Sequence, residues 1–252
     1  NVATVFGDTA PSTPNSQIKI AADEVVLEDG SGNSTRSASV ACTIDFTTNG
    51  AGGLDTSSLA AGNWYFMFVI FNPSTNATSC LGSLQSSIGS VTLPSGYTFA
   101  ARVGGNSYLT RNAITGFYRI VQYGRHATII VATSTPTNNL PNLAVGSEGS
   151  ISVPTWVAKP IAGIQIPVTA SRVDLVMSTP IGTGTSLIMA APNNGYGAYS
   201  STTNPAPCVT GAPNGVGNSQ ICSFNIEGSG DIYTANNNNN ALLQVAGWED
   251  NL

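Results

Sequence analysis

Charge is what this sequence has least of: only 8% of its 252 residues are Asp, Glu, Lys or Arg, against about 25% in an ordinary soluble domain. Solubility must therefore rest on Ser, Thr, Asn and Gly. The residues that favour helices and decorate their outer faces are the ones in short supply, and no stretch carries a helical period, so helix is disfavoured along the whole chain. Basic residues number eight and the net charge is −5. No cluster of Lys or Arg can neutralise a run of phosphates, which excludes nucleic acid as an expected partner. The longest apolar run, from Trp64 to Phe71, falls well short of the roughly 20 residues of a membrane-spanning helix, so no membrane span is expected. The first residues, Asn1-Val2-Ala3-Thr4, show neither a basic nor an apolar leader pattern, and no signal peptide is read in this numbering.

What is present reads as β structure. Val, Ile, Thr and aromatic residues recur in short runs separated by Gly, Pro, Asn and Asp turns at intervals of about 8 to 14 residues. Residues 1–16, which contain Pro11 and Pro14 among small polar residues, read as an extended N-terminal arm. Ile18 and Ile20 then open a strand that passes Glu24-Val25-Val26-Leu27-Glu28 into the turn Asp29-Gly30-Ser31-Gly32. On the return strand Ala38, Val40, Cys42, Ile44 and Phe46 fall at period two and should face one core. Asn63-Trp64-Tyr65-Phe66-Met67-Phe68-Val69-Ile70-Phe71 is apolar on both faces, which places it mid-sandwich or beneath a subunit interface, and Asn72-Pro73 ends it. Residues 117–123 and 127–132 read as a hairpin around Gly124-Arg125-His126. Beyond a Pro/Asn connection near residue 134, strands are expected at 151–157, 161–168, 172–178 and 186–190. Residues 191–220, dense in Pro, Asn, Gly, Ser and Thr, read as one long loop. The expected fold is an all-β antiparallel sandwich of jelly-roll-like form: one large domain, or two packed sandwiches over 17–133 and 134–252.

Several landmarks occur in a telling order. They are Ala41-Cys42-Thr43-Ile44-Asp45-Phe46, Gly50-Ala51-Gly52-Gly53-Leu54-Asp55-Thr56, Asn63-Trp64-Tyr65, Leu93-Pro94-Ser95-Gly96-Tyr97, Arg102-Val103-Gly104, Gln122-Tyr123-Gly124-Arg125 and Gly247-Trp248. In that order they resemble a β-rich module of tail-fibre and other virion structural proteins of tailed bacteriophages, clearly over residues 17–131 and faintly beyond. In that family the Leu-Pro-Ser-Gly-Tyr turn leads into a more basic strand, whereas here Ala100 and Ala101 precede a single Arg102. The resemblance implies a particle component, located in the virion, that assembles with other virion proteins. Its N-terminal arm is the expected contact with those proteins.

Chemistry-bearing residues are sparse. His126 is the only histidine, so any Ser-His or Cys-His arrangement must use it; no Gly-x-Ser-x-Gly elbow accompanies it, and an exposed turn position is the simpler reading. The acids sit mostly in turns, as Asp55 does, and no acidic loop with calcium spacing exists. The cysteines Cys42, Cys80, Cys208 and Cys222 match no zinc spacing. They admit three pairings if oxidised, of which Cys208 with Cys222 is the local one, and four reduced thiols if the chain stays in a reducing compartment. No enzyme activity, metal or cofactor is expected. Tyr196 and Tyr199, in a loop without a core pattern, are the candidate contacts for a host-surface glycan or protein, because flat rings stack on sugars and anchor interfaces. The leading expectation is a tail-fibre or receptor-binding virion protein, a homo-oligomer with a trimer favoured. The alternatives are an architectural virion protein (capsid decoration, head fibre or neck connector) and a secreted carbohydrate-binding module.

Overall fold

A computed structural model describes residues 3–7, 16–56, 58–111, 114–131, 139–152, 155–179, 185–228 and 230–252. Among these residues the secondary structure is strand, apart from one 3₁₀ turn at Ile88–Ser90, and the strand pairings are antiparallel. The chain separates into two compact units, Asn1–Asn139 with Asp250–Leu252, and Leu140–Glu249. Antiparallel sheets packed together make the protein an all-β, sandwich-like fold.

The first unit contains β1 (Ala3–Gly7), β2 (Gln17–Glu28), β3 (Ser34–Asp45), β4 (Asn63–Asn72), β5 (Ala77–Ser83), β6 (Phe99–Arg111), β7 (Ile114–Phe117), β8 (Ile120–Tyr123) and β9 (His126–Ile129). One layer runs β9-β8-β1-β2-β3 and the other β5-β4-β6-β7, joined by a single pair, Glu28 with Ala100. Between them lies a core of Ile18, Ile20, Leu27, Ile44, Leu54, Met67, Val69 and an aromatic cluster in which Phe46 stands 4.5 Å from Phe117 and 5.4 Å from Tyr65. Tyr65 sends its hydroxyl out of this core to the loop before β4, donating to Ser58 O and accepting from Ala60 N. As its composition predicts, β4 is buried on both faces from Trp64 to Ile70.

Three local expectations are corrected. Part of the supposed arm, Ala3–Gly7, is a strand paired with both β2 and β8, because the backbone edge of β2 needs a neighbour there; residues 8–15 lie outside the described residues. The strict alternation across β3 also breaks. Val40 and Ile44 point inward, but Ser37 rather than Ala38 takes the next inward position. Ser39 adopts a left-handed φ of 52°, and β2 changes phase opposite it, from Ala22 to Val25. The two phase changes match, so pairing survives while both strands turn their faces. His126 opens β9, paired with Tyr123, and the turn itself is Gly124-Arg125.

The edge between layers is closed by side chains and by the glycine-rich turn after β3. Cys42 is bonded to Cys80, with Cα atoms 5.9 Å apart, and the Ser37 and Thr78 hydroxyls share a hydrogen bond of 2.6 Å. Gly52 N donates to Cys80 O (2.8 Å), Asp55 N to Gly82 O (2.9 Å) and Ser83 Oγ to Asp55 Oδ2 (2.7 Å). A side chain at Gly82 would strike the Phe46 ring, 2.5 Å from the position of its Cβ, so only glycine lets the edge come this close.

The second unit contains β10 (Asn142–Val145), β11 (Val157–Pro160), β12 (Ala170–Thr179), β13 (Ser186–Ala191), β14 (Cys208–Ala212), β15 (Asn218–Asn225), β16 (Asp231–Asn236) and β17 (Leu242–Asp250, of which Asp250 groups with the first unit). The layers are β10-β17-β12-β15 and β11-β16-β13-β14. Val173, Leu175, Met177, Ile188, Ile232, Leu243 and Val245 are fully buried. The stretch 161–168 is not a strand. Ile164, Gln165 and Ile166 all donate backbone N–H groups to Ile161 O, a turn that buries Ile161 and Ile166 and leaves Ile164 and Val168 exposed. Nor is 191–220 one loop: it contains β14 and the start of β15, whose Gly, Asn and Thr content hides a burial alternation at Cys208, Thr210 and Ala212. These two strands are sewn together by side chains. Asn218 Nδ2 donates to Gly211 O (3.1 Å), Gln220 Nε2 donates to Val209 O (2.9 Å), and Cys222 is bonded to Cys208.

Replacing Cys42 and Cys80 together by Ala should lower the unfolding free energy by about 4 kcal/mol, and replacing Cys208 and Cys222 by about 3 kcal/mol, in urea titrations under non-reducing conditions. The core also makes an alkaline prediction. Burial, reinforced by neighbouring Tyr65, raises the Tyr108 pKa above its ordinary value of 10.0. The folded state therefore holds this proton more tightly than the unfolded chain. The contribution is complete below that ordinary value and is lost as pH rises from it toward the raised one. Thermal melts across this range should show a decline that Tyr108→Phe flattens.

Candidate functional site

The structure places chemistry-bearing residues in three separate places. His126 is exposed. Among the described residues no group of three His, Cys, Asp or Glu side chains is arranged to hold a metal ion. The acids Asp29 and Asp45 are committed to their own turns. Asp29 accepts from Ser31 N, Asn33 N and Asn33 Nδ2, and Asp45 from Thr47 N, Thr47 Oγ1 and Gln17 Nε2. These bonds favour the ionised form and hold both carboxyls below the ordinary value, the Asn33 side chain acting most strongly on Asp29 and the Thr47 hydroxyl on Asp45.

The two tyrosines lie in the loop of residues 192–207 between β13 and β14. This loop covers a small core of Ile151, Met189, Ala206 and Ala235, with Trp156, Leu187 and Val209 packed on it. It is tied down by backbone bonds: Trp156 Nε1 donates to Tyr196 O (2.9 Å), Tyr199 N to Ile151 O (3.3 Å) and Gly197 N to Asn204 O (2.6 Å). Tyr199 is 45% exposed and Tyr196 is more buried, so the loop presents both rings in part and Tyr199 the more openly. Beside them Asn193 Nδ2 donates to Glu227 Oε2 (2.6 Å), which leaves polar groups at the loop's rim.

The third place was not singled out by the residue patterns. In the first unit a cleft of about 270 Å³ is lined by residues 24–26 of β2, 101–103 of β6, Gly124, Arg125 and Leu252. Its position follows from the β6 backbone. A register shift opposite Met67 and Phe68 of β4 leaves Val103 as the extra residue. Gly104 next to it has no room for a Cβ against the Gln122 amide, which donates to Val103 O and Gly124 O (both 2.8 Å). This bulge sets Arg102 over the Phe66 ring, 5.7 Å from its centroid, and beside the buried Asp250 carboxylate at 3.6 Å. Arg102 Nη2 also donates to Asn251 O, while Nη1 is buried without a partner. Arg125 completes the arrangement, donating from Nε to Asp250 O (3.0 Å) and from Nη2 to Asn251 Oδ1 (2.8 Å). At the rim Arg36 bonds Glu24. Three of the chain's eight basic residues thus gather here. Two of the ordered landmarks, Arg102-Val103-Gly104 and Gln122-Tyr123-Gly124-Arg125, meet at this cleft, a convergence that no local pattern encodes.

No model of a known protein family matches the chain, and no curated protein is similar to it.

Arg102→Met should lower stability by about 3 kcal/mol because it strips a fully buried carboxylate of an adjacent cation. Adding Asp250→Asn should recover part of that loss, and a double-mutant cycle by chemical denaturation measures the coupling.

Proposed function

We propose that this chain is a structural and binding component of a tailed-bacteriophage particle, of the tail-fibre or receptor-binding kind, that contacts a host surface through loops and performs no catalysis. The observation that carries the reading is where the landmarks fall. Gly50 to Thr56 close the layer edge, Leu93 to Tyr97 form the turn into β6, with Tyr97 N donating to Pro94 O, and the Arg102 and Gln122 segments build the cleft. The residues behind the resemblance are therefore joints of the framework, where a shared fold would leave its mark. The rigid, disulfide-bonded scaffold and the scarcity of surface charge suit a particle exposed to the medium. Tyr199 supplies the contact: a flat, half-exposed ring on an anchored loop loses little entropy when it stacks on a sugar or packs on a protein. Assembly as a homotrimer belongs to this reading, with the large uncharged surface supplying subunit contacts.

A second reading has the two disulfides and the tyrosine loop in its favour: a secreted carbohydrate-binding module would share both. Gold labelling with an antibody to the chain separates the two, since only the first reading places the chain on phage particles. Under the first, purified protein should sediment as a trimer, bind susceptible cells and block infection. Tyr199→Ala should weaken cell binding about ten-fold without changing the melting temperature. Full binding by that variant would move the contact elsewhere, and absence of any cell binding would leave a purely architectural role.

A further inference from the structure

We infer that the second unit cross-links itself: the side chains of Lys159 and Asn236 join through an amide bond, with Glu148 moving the protons. The placement comes from strand register. In the pairing of β11 with β16, Val157 stands opposite Thr234 and Lys159 opposite Ile232. Alternate side chains of a strand share a face, so Lys159 lies on the same face as Ile232, Thr234 and Asn236, which are fully buried. Beyond the end of β11, Glu148 takes the position opposite Asn236. Glu148 N donates to Asn236 O (3.2 Å) and Asn236 N to Glu148 O (2.7 Å). Residues paired in this way carry their Cβ atoms about 5 Å apart on one face. Lys159 reaches along that face, and its Nζ donates to Glu148 Oε2 at 2.6 Å. An amine, a carboxylate and a carboxamide from three segments are thereby brought to one place.

Burial is the second support. Neither Oδ1 nor Nδ2 of the Asn236 amide has a hydrogen-bond partner, and Glu148 Oε1 and Thr234 Oγ1 are buried without one beside it. Buried amides elsewhere in the chain, Asn106 and Gln122, donate to backbone carbonyls, as the cost of an unpaired buried group demands. The Lys159 and Glu148 side chains are only 21% and 18% exposed, so one of the chain's two lysines is turned inward. An ion pair by itself would use Lys159 and Glu148 and leave the amide stranded, whereas a cross-link uses all three groups. The step balances. Glu148 takes a proton from the Lys159 ammonium across their contact, and the neutral Nζ attacks Asn236 Cγ. The new Nζ–Cγ bond forms, the Cγ–Nδ2 bond breaks, and Glu148 passes the second proton shed by Nζ to the departing nitrogen. Ammonia leaves, carrying the first proton as ammonium, and Glu148 ends as it began. The event happens once per chain, turns over no substrate and stands independently of the proposed function.

The test is mass spectrometry of the whole purified chain with both disulfides reduced, whose mass should fall short of the sequence value by one ammonia. Trypsin then locates the link. It cuts after Arg125 and Arg172 but not between Lys159 and Pro160, so the digest should yield residues 126–172 and 173–252 as one joined species, with fragmentation placing the bond at Lys159 and Asn236. Lys159→Arg keeps a cation beside Glu148 and should fold with an unchanged circular-dichroism spectrum, yet give the full sequence mass and two separate peptides. Glu148→Gln should lower the joined fraction at least about ten-fold after the same incubation. The full sequence mass in the unaltered protein would overturn the proposal. So would loss of ammonia without joining of the two peptides, which would mark ring closure at an asparagine instead, or equal joining in the Lys159→Arg variant. Undiminished joining in the Glu148→Gln variant would overturn the role given to Glu148.

Discussion

A β-sheet edge is a row of unpaired N–H and C=O groups, and this chain must close its edges almost without charge. Natural sheets commonly guard their edges with lysine and other charged side chains. Eight basic residues cannot do that for the seventeen strands found among the described residues. Other devices take over. In the first unit Cys42–Cys80, the Ser37–Thr78 hydroxyl pair and the turn through Gly52 and Asp55 join β3 to β5. In the second unit Asn218, Gln220 and Cys222 reach from alternate positions of β15 to the β14 backbone or to Cys208, a ladder made of side chains where the backbone ladder stops. Each of the hydrogen bonds among them contributes on the order of 1 kcal/mol. Leaving the same groups buried and unpaired would cost more than that, so closure of the edges governs whether the layers can stack at all.

The same economy shapes the interior. Gln122 and Asn106 are fully buried, and each spends its amide on backbone carbonyls of a neighbouring segment, Gln122 on Val103 and Gly124, Asn106 on Tyr118. They stand where strands bulge or change partners and the regular ladder fails. Gly104 and Gly82 complete the pattern by making room, one for the Gln122 amide and the other for the Phe46 ring. Polar side chains and missing side chains are thus two halves of one solution to packing irregular backbone.

Legibility in the sequence followed the range of the interaction. Where a single strand decides the pattern, the residues announced it: β2 with Ile18 and Ile20, the two-faced apolar run of β4, and the turn chemistry that separates strands and defines an all-β fold. Where two strands decide jointly, the sequence misled. The inward step at Ser37 depends on a phase change in β2 as much as on Ser39. The apolar spacing of 161–168 imitates a strand, yet three amides converging on one carbonyl make it a turn. β14 was hidden because Gly211 and Asn218 look like loop residues until β13 and the disulfide supply the partners that justify them. The cleft was least legible, since Arg102, Arg125 and Asp250 lie far apart in the chain and meet only through the β6 bulge. Tyr196 and Tyr199 could be proposed from composition alone, but their unequal exposure depends on the Trp156 indole beneath the loop.

Edge closure also bears on where recognition can sit. A sheet whose edges are sewn offers partners only its faces and its loops, and the anchored loop with Tyr199 is of that kind. Near the pair of Glu28 with Ala100, where β2 meets β6, guanidinium groups take the place of those devices, with Arg102 and Arg125 holding residues 250 and 251. A guanidinium can bond several acceptors at once, so Arg102 and Arg125 tie residues 250 and 251 to segments far away in the chain without a strand ladder. The means of closure thus follows the backbone: covalent and hydroxyl links where strands run side by side, and guanidinium groups where a bulge and a chain segment meet without a ladder.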